Sequence, residues 1–407
     1  MFIIALDLGS GKIKTLVVEI QKNGKLSLLG VFKTPSAGIR KGEIANIEET
    51  VRSLSHVFSE IKRLHKNALK NIFVNVNGTG IKMQNSRGIV AVSRSDNEIY
   101  QEDIDRVLKA SQAVNLSPNR MVLHTLTKEF IVDGVGDIRD PLGMTGARLE
   151  VNSLIIDAFS PAIKNLIKCI EVSGGSVAGL IYGPLSAGVS VLSKAQKELG
   201  TVLVDIGFGT TGMCVYEEDK LLQAAAIPVG AGNITNDLAI GLKCPVKTAE
   251  KIKLAFGCAS PKEVSVKEKV ELGEFDENLK TIVSRKFLAE IIESRLAEIF
   301  EFVNNELKSI GKAGRLPGGA ILTGGGAKMP GIAELAKHEL KLSSQIGIPE
   351  IKNLESKNAQ SGGQIEEPEF SVAAGLAVWA GEQRLKQGNW SPSDKFPLKR
   401  ILRYFMP

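Results

Sequence analysis

Two stretches of the sequence place an acidic residue two positions ahead of alternating glycines. In LDLGSG the acid is Asp7, and in VDIGFG it is Asp205. Glycine lets backbone N–H groups approach a phosphate chain closely, and hydroxyls, a cation and a metal-ordering carboxylate complete such a site. Each stretch is therefore predicted to form a turn that supplies one half of a phosphate clamp.

Each turn carries its own set of candidate ligands. We predict that the two acids order Mg²⁺ through water, while the remaining residues reach the phosphates. The candidates are Asp7, Gly9, Ser10, Gly11 and Lys12 in the first turn, and Asp205, Gly207, Gly209, Thr210 and Thr211 in the second. Either stretch alone could be an ordinary tight turn, but two copies with matching strands on both sides favour an internal duplication.

A third glycine-rich element, GGAILTGGGAKMPGIAEL, lies at residues 318–335. It reads as a strand, a triple glycine and a helix, so Gly324, Gly325 and Gly326 would present flat backbone to an adenine or a ribose. A simple strand-to-helix turn fits the same letters. Two familiar phosphate-binding motifs fail on spacing, because a GxxxxGK[ST] loop needs glycine at Leu6 and GSGKIK lacks the third glycine of a dinucleotide fingerprint.

The elements around these turns predict two similar α/β halves that face one another across a cleft. Each half carries an insertion, which is a compact α+β subdomain in the first half and mainly helical in the second. The predicted segments are 1–79 and 158–190 for the first half, 80–157 for its insertion, 191–242 and 316–380 for the second half, 243–315 for the helical insertion, and 381–394 for a linker. A long amphipathic helix should end the helical insertion, and the polar residues 352–369 should form a surface loop.

The composition is that of a globular protein with more than one domain. Among 407 residues, 43% are hydrophobic, and 51 basic against 45 acidic residues give a formal net charge of +6. This charge is too small for a typical nucleic-acid-binding protein. The four cysteines and four histidines lack metal-ligand spacing, which predicts a reduced compartment. We expect a cytosolic body, because no apolar run is long enough for a signal peptide or a spanning helix.

The C-terminal residues 395–407, KFPLKRILRYFMP, combine basic and bulky apolar side chains without any acid. A helix beginning near Pro397 would separate the two types onto opposite faces. The apolar face holds Leu398, Ile401, Leu402, Phe405 and Met406, and the basic side holds Lys399, Arg400 and Arg403. Such a helix suits an anionic membrane surface, although docking on its own domain or a disordered end is the alternative. At about 1 kcal/mol per basic residue, one copy would bind weakly and many copies together firmly.

The order of these elements resembles the actin-like ATPase superfamily over almost the whole chain. The early insertion at 80–157, the stretch PVGAGNITNDLAIGLKCPVKTAEKIKLAFGCA, the stretch FSVAAGLAVWAG and the tail resemble the FtsA family of bacterial cell division proteins. The resemblance implies ATP and Mg²⁺ as cofactors. It also implies that Gly230, Glu250 and Lys253 contact the nucleotide, the last two at its ribose and base. Without this resemblance, the sequence would place Glu250 and Lys253 on a solvent-exposed helix face.

The same resemblance implies partners and a location. Members of this family form filaments and tether the tubulin-like protein FtsZ to the cytoplasmic face of the membrane at the division site. The FtsZ C-terminal peptide would dock on the helical insertion, where Arg285 and Arg295 are the candidate contacts and solvated arginines are the alternative. The implied partners are therefore FtsZ, further copies of the chain and anionic lipids, without nucleic acid.

The sequence leaves enzymatic activity open. Hydrolysing members of the superfamily place an acid or a glutamine in the connecting segment, whereas residues 181–192, IYGPLSAGVSVL, contain neither. We therefore expect slow ATP turnover at most. Phe208 stands where relatives often carry a small residue. Two other functions stay open, which are a pilus-assembly adaptor resembling PilM and a small-molecule kinase that would need a catalytic base.

Overall fold

Two β-sheets of the same design form the centres of the two halves. The computed structural model describes residues 1–21, 25–65, 68–350, 354–356 and 363–386. The first half and its insertion contain β1 (Phe2–Leu8), β2 (Lys12–Ile20), β3 (Leu26–Pro35), β4 (Ile39–Arg40), β5 (Glu43–Ile44), α1 (Ile47–Leu64), β6 (Ile72–Val76), β7 (Lys82–Ala91), α2 (Gln101–Ser111), β8 (Arg120–Val132), β9 (Val135–Ile138), β10 (Arg148–Phe159), α3 (Ser160–Val172), β11 (Val177–Tyr182) and α4 (Gly183–Val191).

The second half follows directly and includes the helical insertion. Its elements are α5 (Lys194–Leu199), β12 (Thr201–Ile206), β13 (Thr211–Glu217), β14 (Lys220–Ile227), α6 (Ala231–Leu242), α7 (Val246–Phe256), β15 (Lys269–Glu271), β16 (Ile282–Ser284), α8 (Arg285–Ser309), β17 (Ala320–Thr323), α9 (Ile332–Leu340), β18 (Ser344–Ile346), β19 (Leu354–Ser356) and α10 (Ser371–Lys386). The predicted membrane helix at 395–407 lies outside the described residues.

The first sheet has the strand order β11-β6-β1-β2-β3-β19. β1 and β2 form an antiparallel hairpin whose register sets Asp7 opposite Lys14, and β6 lies parallel to β1 on its other side. Because β1 has strand neighbours on both sides and packed layers on both faces, its residues from Ile3 onward are buried. α1 and α3 cover one face of the sheet, and α10 contacts β1 and β2.

The second sheet, β14-β13-β12-β17-β18, repeats this arrangement. β12 pairs antiparallel with β13 and parallel with β17, so Asp205 lies opposite Gly212 and beside Thr323. α6, α7, α8 and α9 bury their apolar faces with strands of this sheet. An acidic hairpin with a parallel third strand thus occurs in both halves, and the predicted duplication is confirmed.

Helices α4 and α10 cross between the two sheets. α10 contacts β1 and β2, whereas α4 contacts β12 and β13. A Cβ atom on Gly375 of α10 would lie 1.7 Å from the carbonyl oxygen of Ser186 on α4. The hydroxyls of Ser186 and Ser190 donate to the carbonyl oxygens of Val372 and Ser371, at 2.8 and 2.7 Å. The crossing therefore joins the halves at backbone distance.

The first insertion has the predicted α+β character, and a long helix dominates the second. The first is a β7-β10-β8-β9 sheet with α2 against β7 and β10, and β9 is its one strand that the sequence did not suggest. In the second, α8 begins after Ser284, whose hydroxyl accepts a hydrogen bond from the N–H of Lys286. The predicted apolar face of α8 is buried at Leu288, Ile292, Leu296, Ile299, Val303 and Leu307, while Ile291 is partly buried.

The predicted surface loop at 352–369 is wrong in two places. β19 pairs in parallel with β3 of the first half, and Glu369 is only 5% exposed. The Glu369 carboxylate accepts a hydrogen bond from Lys33 Nζ at 2.6 Å. The polar residues of this segment had indicated exposure. A carboxylate that is paired with a cation can nevertheless be buried where an unpaired one cannot. α10 also extends to Lys386, past the predicted start of the linker at 381.

His124 on β8 fastens the first insertion to its half and gives the protein a pH-dependent contact. Its Nε2 accepts a hydrogen bond from the Tyr182 N–H at 3.0 Å, and burial lowers the pKa of His124 from 6.5 to about 4. The unfolded chain therefore binds a proton at higher pH than the folded chain. Stability that is complete above pH 6.5 is lost as the pH falls toward 4.

We expect the wild-type free energy of unfolding to fall between about pH 7.5 and about pH 4.5 by about 2 kcal/mol more than that of His124→Gln. Urea unfolding followed by circular dichroism measures both. The variant removes this titration and leaves the carboxylates unchanged. Equal pH dependence of the two proteins would contradict the assignment of the shift to His124.

Candidate functional site

The first acid is held in place by residues from neighbouring strands. Asp7 is 3% exposed, and its Oδ1 accepts a hydrogen bond from Asn75 Nδ2 of β6 at 2.8 Å. Asn75 Oδ1 in turn accepts from the Leu8 N–H at 2.7 Å. Lys14 Nζ donates to Asp7 Oδ2 at 2.6 Å and to the carbonyl oxygen of Glu369 at 2.7 Å. The carboxylate therefore has a fixed orientation and a cation beside it.

The second acid lies close enough to the first for their charges to interact. Burial raises the pKa of Asp205 to about 6, with a contribution from the charge of Asp7, while Lys14 acts in the opposite direction. Burial by itself would lower the pKa of Lys14, but Asp7, Asp205 and Glu369 together raise it. One ammonium group thus stabilises carboxylates from both halves.

The two carboxylates fit the ligand chemistry of Mg²⁺. Asp205 is 9% exposed, and within the part of the chain that the structure describes no hydrogen bond reaches its carboxylate. Buried carboxylate oxygens with unused acceptor capacity suit a cation that keeps several of its waters. Asp7, in contrast, already has one hydrogen bond to each oxygen. Asp205 is therefore the stronger candidate for holding a hydrated Mg²⁺.

The two glycine turns share one backbone geometry. The Gly9 N–H donates to the Lys12 carbonyl oxygen at 3.2 Å, and the Gly207 N–H donates to the Thr210 carbonyl oxygen at 2.9 Å. A Cβ atom on Gly9 or Gly207 would lie 2.7 or 2.9 Å from the same carbonyl oxygen. The first glycine of each turn is therefore required, because the carbonyl across the turn occupies the side-chain position.

The turns also touch each other across the cleft. A Cβ atom on Gly209 would lie 2.8 Å from Ser10 Oγ, and Ser10 Oγ accepts a hydrogen bond from the Gly42 N–H at 3.0 Å. A cavity of about 30 Å³ lies beside Asp205 and Thr210, which is room for one or two water molecules. The structure thus shows a cleft that is closed around its two turns.

Two predicted side chains lie elsewhere than expected. Thr211 is fully buried, and its hydroxyl donates to the Val229 carbonyl oxygen at 2.8 Å, although the residue also borders the cavity beside Asp205. Lys12 is exposed, and partial burial lowers its pKa although Glu369 acts against this. The structure places Lys14 beside Asp7, whereas the sequence had named only Lys12 as the cation of the first turn.

The residues assigned to the ribose and base lie together at the start of α6. Lys253 Nζ donates to Thr235 Oγ1 at 2.8 Å and to the Ala231 carbonyl oxygen at 3.2 Å, and it pairs with Glu250 Oε2 at 2.7 Å. Burial lowers the pKa of Lys253, and Glu250 opposes that shift. Gly230 immediately precedes α6. These residues form a preorganised polar cluster beside the second turn.

The triple glycine follows β17 and meets the second acid. Gly324 has φ +83°, a left-handed conformation, and a Cβ atom there would lie 2.3 Å from Asp205 Oδ1. A Cβ atom on Gly326 would lie 2.3 Å from Ile206 Cγ2, whereas nothing lies within 4 Å of one on Gly325. Gly324 and Gly326 therefore allow close packing, and Gly325 leaves open space.

Sequence reasoning missed three polar residues that organise the site, namely Lys14, Asn75 and Glu369. Glu369 bridges the halves by accepting from Lys33 of β3 at 2.6 Å and from Lys328, after the triple glycine, at 3.2 Å. Burial opposes its ionisation, but Lys33 and its neighbours lower the pKa of Glu369 to about 2. The hairpin register could have revealed Lys14. No local sequence pattern indicates Asn75 or Glu369, because their partners are distant in sequence.

The two arginines proposed for partner binding already have intramolecular partners. Arg285 donates to the Phe256 carbonyl oxygen at 3.0 Å and pairs with Glu268 at 2.5 Å. Arg295 donates to both carboxylate oxygens of Asp237, at 2.6 and 3.0 Å. Contact with a partner stays a prediction, and it would require exchange of these ion pairs.

Duplicated sheets, crossed central helices and paired acidic turns define an actin-like ATPase fold. Solved structures share it. The PilM-PilN type IV pilus biogenesis complex matches with a TM-score of 0.66 at 16% identity, over 93% of this chain and 98% of that chain. MreB5 of Spiroplasma citri bound to ADP matches with a TM-score of 0.56 at 14% identity, over 96% and 99%. The expected fold class is confirmed.

Sequence comparison identifies the family within this fold. A family model described as cell division protein FtsA matches residues 202–375, and one described as the SHS2 domain inserted in FtsA matches residues 78–157. Cell division protein FtsA of Pseudomonas aeruginosa is 35% identical over 387 residues, which is 95% of this chain and 90% of that protein. The chain belongs to the FtsA family. None of the helices in the described ranges is long and apolar enough to cross a membrane.

Proposed function

We propose that this chain is an ATP-binding division protein that polymerises, tethers FtsZ filaments to the inner face of the cytoplasmic membrane and helps to assemble the division ring. The observation that carries the nucleotide site is the Lys14 ammonium group beside Asp7, within the electrostatic reach of Asp205. Lys14 and Asp7 come from one half and Asp205 from the other. Membership of the FtsA family and the fold shared with ADP-bound MreB5 support this assignment.

The residues of the cleft have distinct tasks in this proposal. Backbone N–H groups of both turns donate to phosphate oxygens, and the Lys14 ammonium group provides a positive charge near the two turns. Asp205, with a pKa of about 6, is mostly ionised at neutral pH and would hold a hydrated Mg²⁺. Bound Mg²⁺ would neutralise charge on the phosphates.

Slow turnover follows from the connecting segment. Residues 181–192 form the end of β11 and α4, and they contain no acid or glutamine. The hydroxyls of Ser186 and Ser190 donate to carbonyl oxygens of α10, so neither is poised to activate water. The nucleotide therefore acts chiefly through cleft closure and assembly in this proposal, with hydrolysis at most slow.

The tether combines two surfaces. The amphipathic segment 395–407 would lie on anionic lipid, with many copies in a filament supplying the strength that one copy lacks. The FtsZ C-terminal peptide would dock on the helical insertion near Arg285 and Arg295. A partner carboxylate there would replace Glu268 or Asp237, the acids that now hold these guanidinium groups.

Co-sedimentation with anionic liposomes tests the tether. The full chain is expected to pellet more strongly with Mg-ATP than without it, and a version ending at Asp394 should lose pelleting while still binding ATP. Neutral liposomes serve as the control, because they lack the charge that the tail requires. Equal pelleting of the two versions would overturn the tether.

An adaptor role is the second candidate, and the likeness to the PilM-PilN complex favours it. An adaptor would bind a protein partner and would not need a lipid-seeking helix. The same experiment separates the two roles, because an adaptor would show no tail-dependent response to lipid or to Mg-ATP.

A further inference from the structure

The ring of Phe208, in the second turn, lies against the first turn and the start of α6. A Cβ atom on Gly11 would lie 2.9 Å from the ring Cγ, and one on Gly232 would lie 2.8 Å from Cε1. Lys253 Nζ lies 5.6 Å from the ring centroid. The phenyl ring thus fills the space between both halves, where neither glycine has a side chain.

Burial does not explain this position. Phe208 is 41% exposed, so the ring gains only part of the free energy of a core aromatic residue. The groups that lie against the ring include two glycines and one ammonium group. A cation near the face of an exposed ring gives a modest attraction. The free-energy cost of displacing the ring is therefore modest.

In the proposed nucleotide site, the ring would lie on the route of the phosphates. The polar cluster of Glu250 and Lys253 borders one side of Phe208, and the backbone of Gly11 borders the other. Phosphates extending from that polar cluster toward the first turn would need the volume that the ring fills. A phenyl ring also offers no donor to a phosphate, unlike the N–H groups and the ammonium that it covers.

We propose that Phe208 is a gate that controls access of phosphate groups to the first glycine turn, an inference that rests on the proposed nucleotide site. With the ring inward, a phosphate chain has no room beside the first turn. Only molecules with the ring displaced bind the full nucleotide, so the apparent affinity is reduced by the fraction of that open form. Phe208 would thereby set the discrimination between adenosine and its phosphates.

Isothermal titration of the full chain with Mg-ADP and with adenosine tests the gate. Phe208→Ala is expected to bind Mg-ADP about tenfold more tightly than the wild type, with adenosine affinity unchanged. Phe208→Leu should resemble the wild type, because it keeps most of the side-chain volume. Phe287→Ala is the matched control, since Phe287 lies on α8 of the helical insertion and is similarly exposed at 42%.

Each outcome decides a specific point. Equal or weaker Mg-ADP binding by Phe208→Ala overturns the gate, and weaker binding would mean that the ring is a platform for the nucleotide. A parallel gain for adenosine also overturns it, because the ring would then act on the base. If the wild type binds Mg-ADP and the alanine variant binds no better, the gate alone falls. If no variant binds Mg-ADP, the nucleotide site and the gate fall together.

Discussion

Replacing Gly375 by alanine is expected to lower the free energy of unfolding by about 3 kcal/mol. The added methyl carbon would lie 1.7 Å from the Ser186 carbonyl oxygen and 2.4 Å from its carbonyl carbon. Both atoms belong to the backbone of α4, so no side-chain rotation can relieve the overlap. The two helices must separate, and packing around the crossing is lost on both sides.

Urea unfolding followed by circular dichroism measures this effect. Gly325→Ala is the matched control, because a Cβ atom there meets nothing within 4 Å, and its stability should stay within about 0.5 kcal/mol of the wild type. A stability of Gly375→Ala equal to that of the control would show that α4 and α10 separate freely. That result would remove the crossing as the rigid connection between the halves.

Replacing Lys14 by methionine is expected to weaken Mg-ATP binding about 100-fold, which corresponds to about 2.7 kcal/mol. Lys14 is the ammonium that contacts Asp7 and acts on Asp205. Without it, two carboxylates face one another and repel the phosphates that should bind between them. The side chain is nearly isosteric, so the change removes charge and hydrogen bonds while keeping most of the packing.

The variant Lys12→Met tests which lysine is the cation that the phosphates need. The structure indicates Lys14, whereas the sequence suggested Lys12. Lys12 is on the same strand and receives the same substitution, but its side chain is exposed. We expect its Mg-ATP affinity to fall by about threefold at most, as for an exposed charge. Titration calorimetry on both variants, with melting curves to confirm folding, makes the comparison. Greater loss in Lys12→Met than in Lys14→Met would restore the original assignment.

Local patterns revealed the elements of this fold well. The spacing of apolar residues predicted α8, because a helix that buries one face must repeat that face every three to four residues. The acidic glycine turns could also be found from the sequence, because the first glycine of each turn has no room for a side chain. These glycines are Gly9 and Gly207. Repetition of the pattern at Asp7 and Asp205 then indicated two equivalent halves.

Contacts between distant segments were harder to foresee. Lys14 became visible only with the register of β1 and β2, which sets it opposite Asp7. Glu369 sits in a polar stretch that reads as surface, yet Lys33 and Lys328 allow its burial. Thr211 looks like a phosphate ligand by sequence, but its carbonyl partner at Val229 is defined only by folding. Sequence patterns report local geometry, and these three positions depend on long-range partners.

The contact of α10 with β1 has a consequence for synthesis on the ribosome. Ile3, Ala5 and Leu16 share a buried cluster with Ala373 and Leu376, so the first strands are covered by a helix from the far end of the second half. At about 5 to 20 residues per second, roughly 20 to 70 s separate the translation of these segments. The nascent first half must wait through this interval with an apolar sheet face uncovered. Its folding is therefore completed only after α10 has been synthesised, and we expect the growing chain to need a chaperone that shields that face.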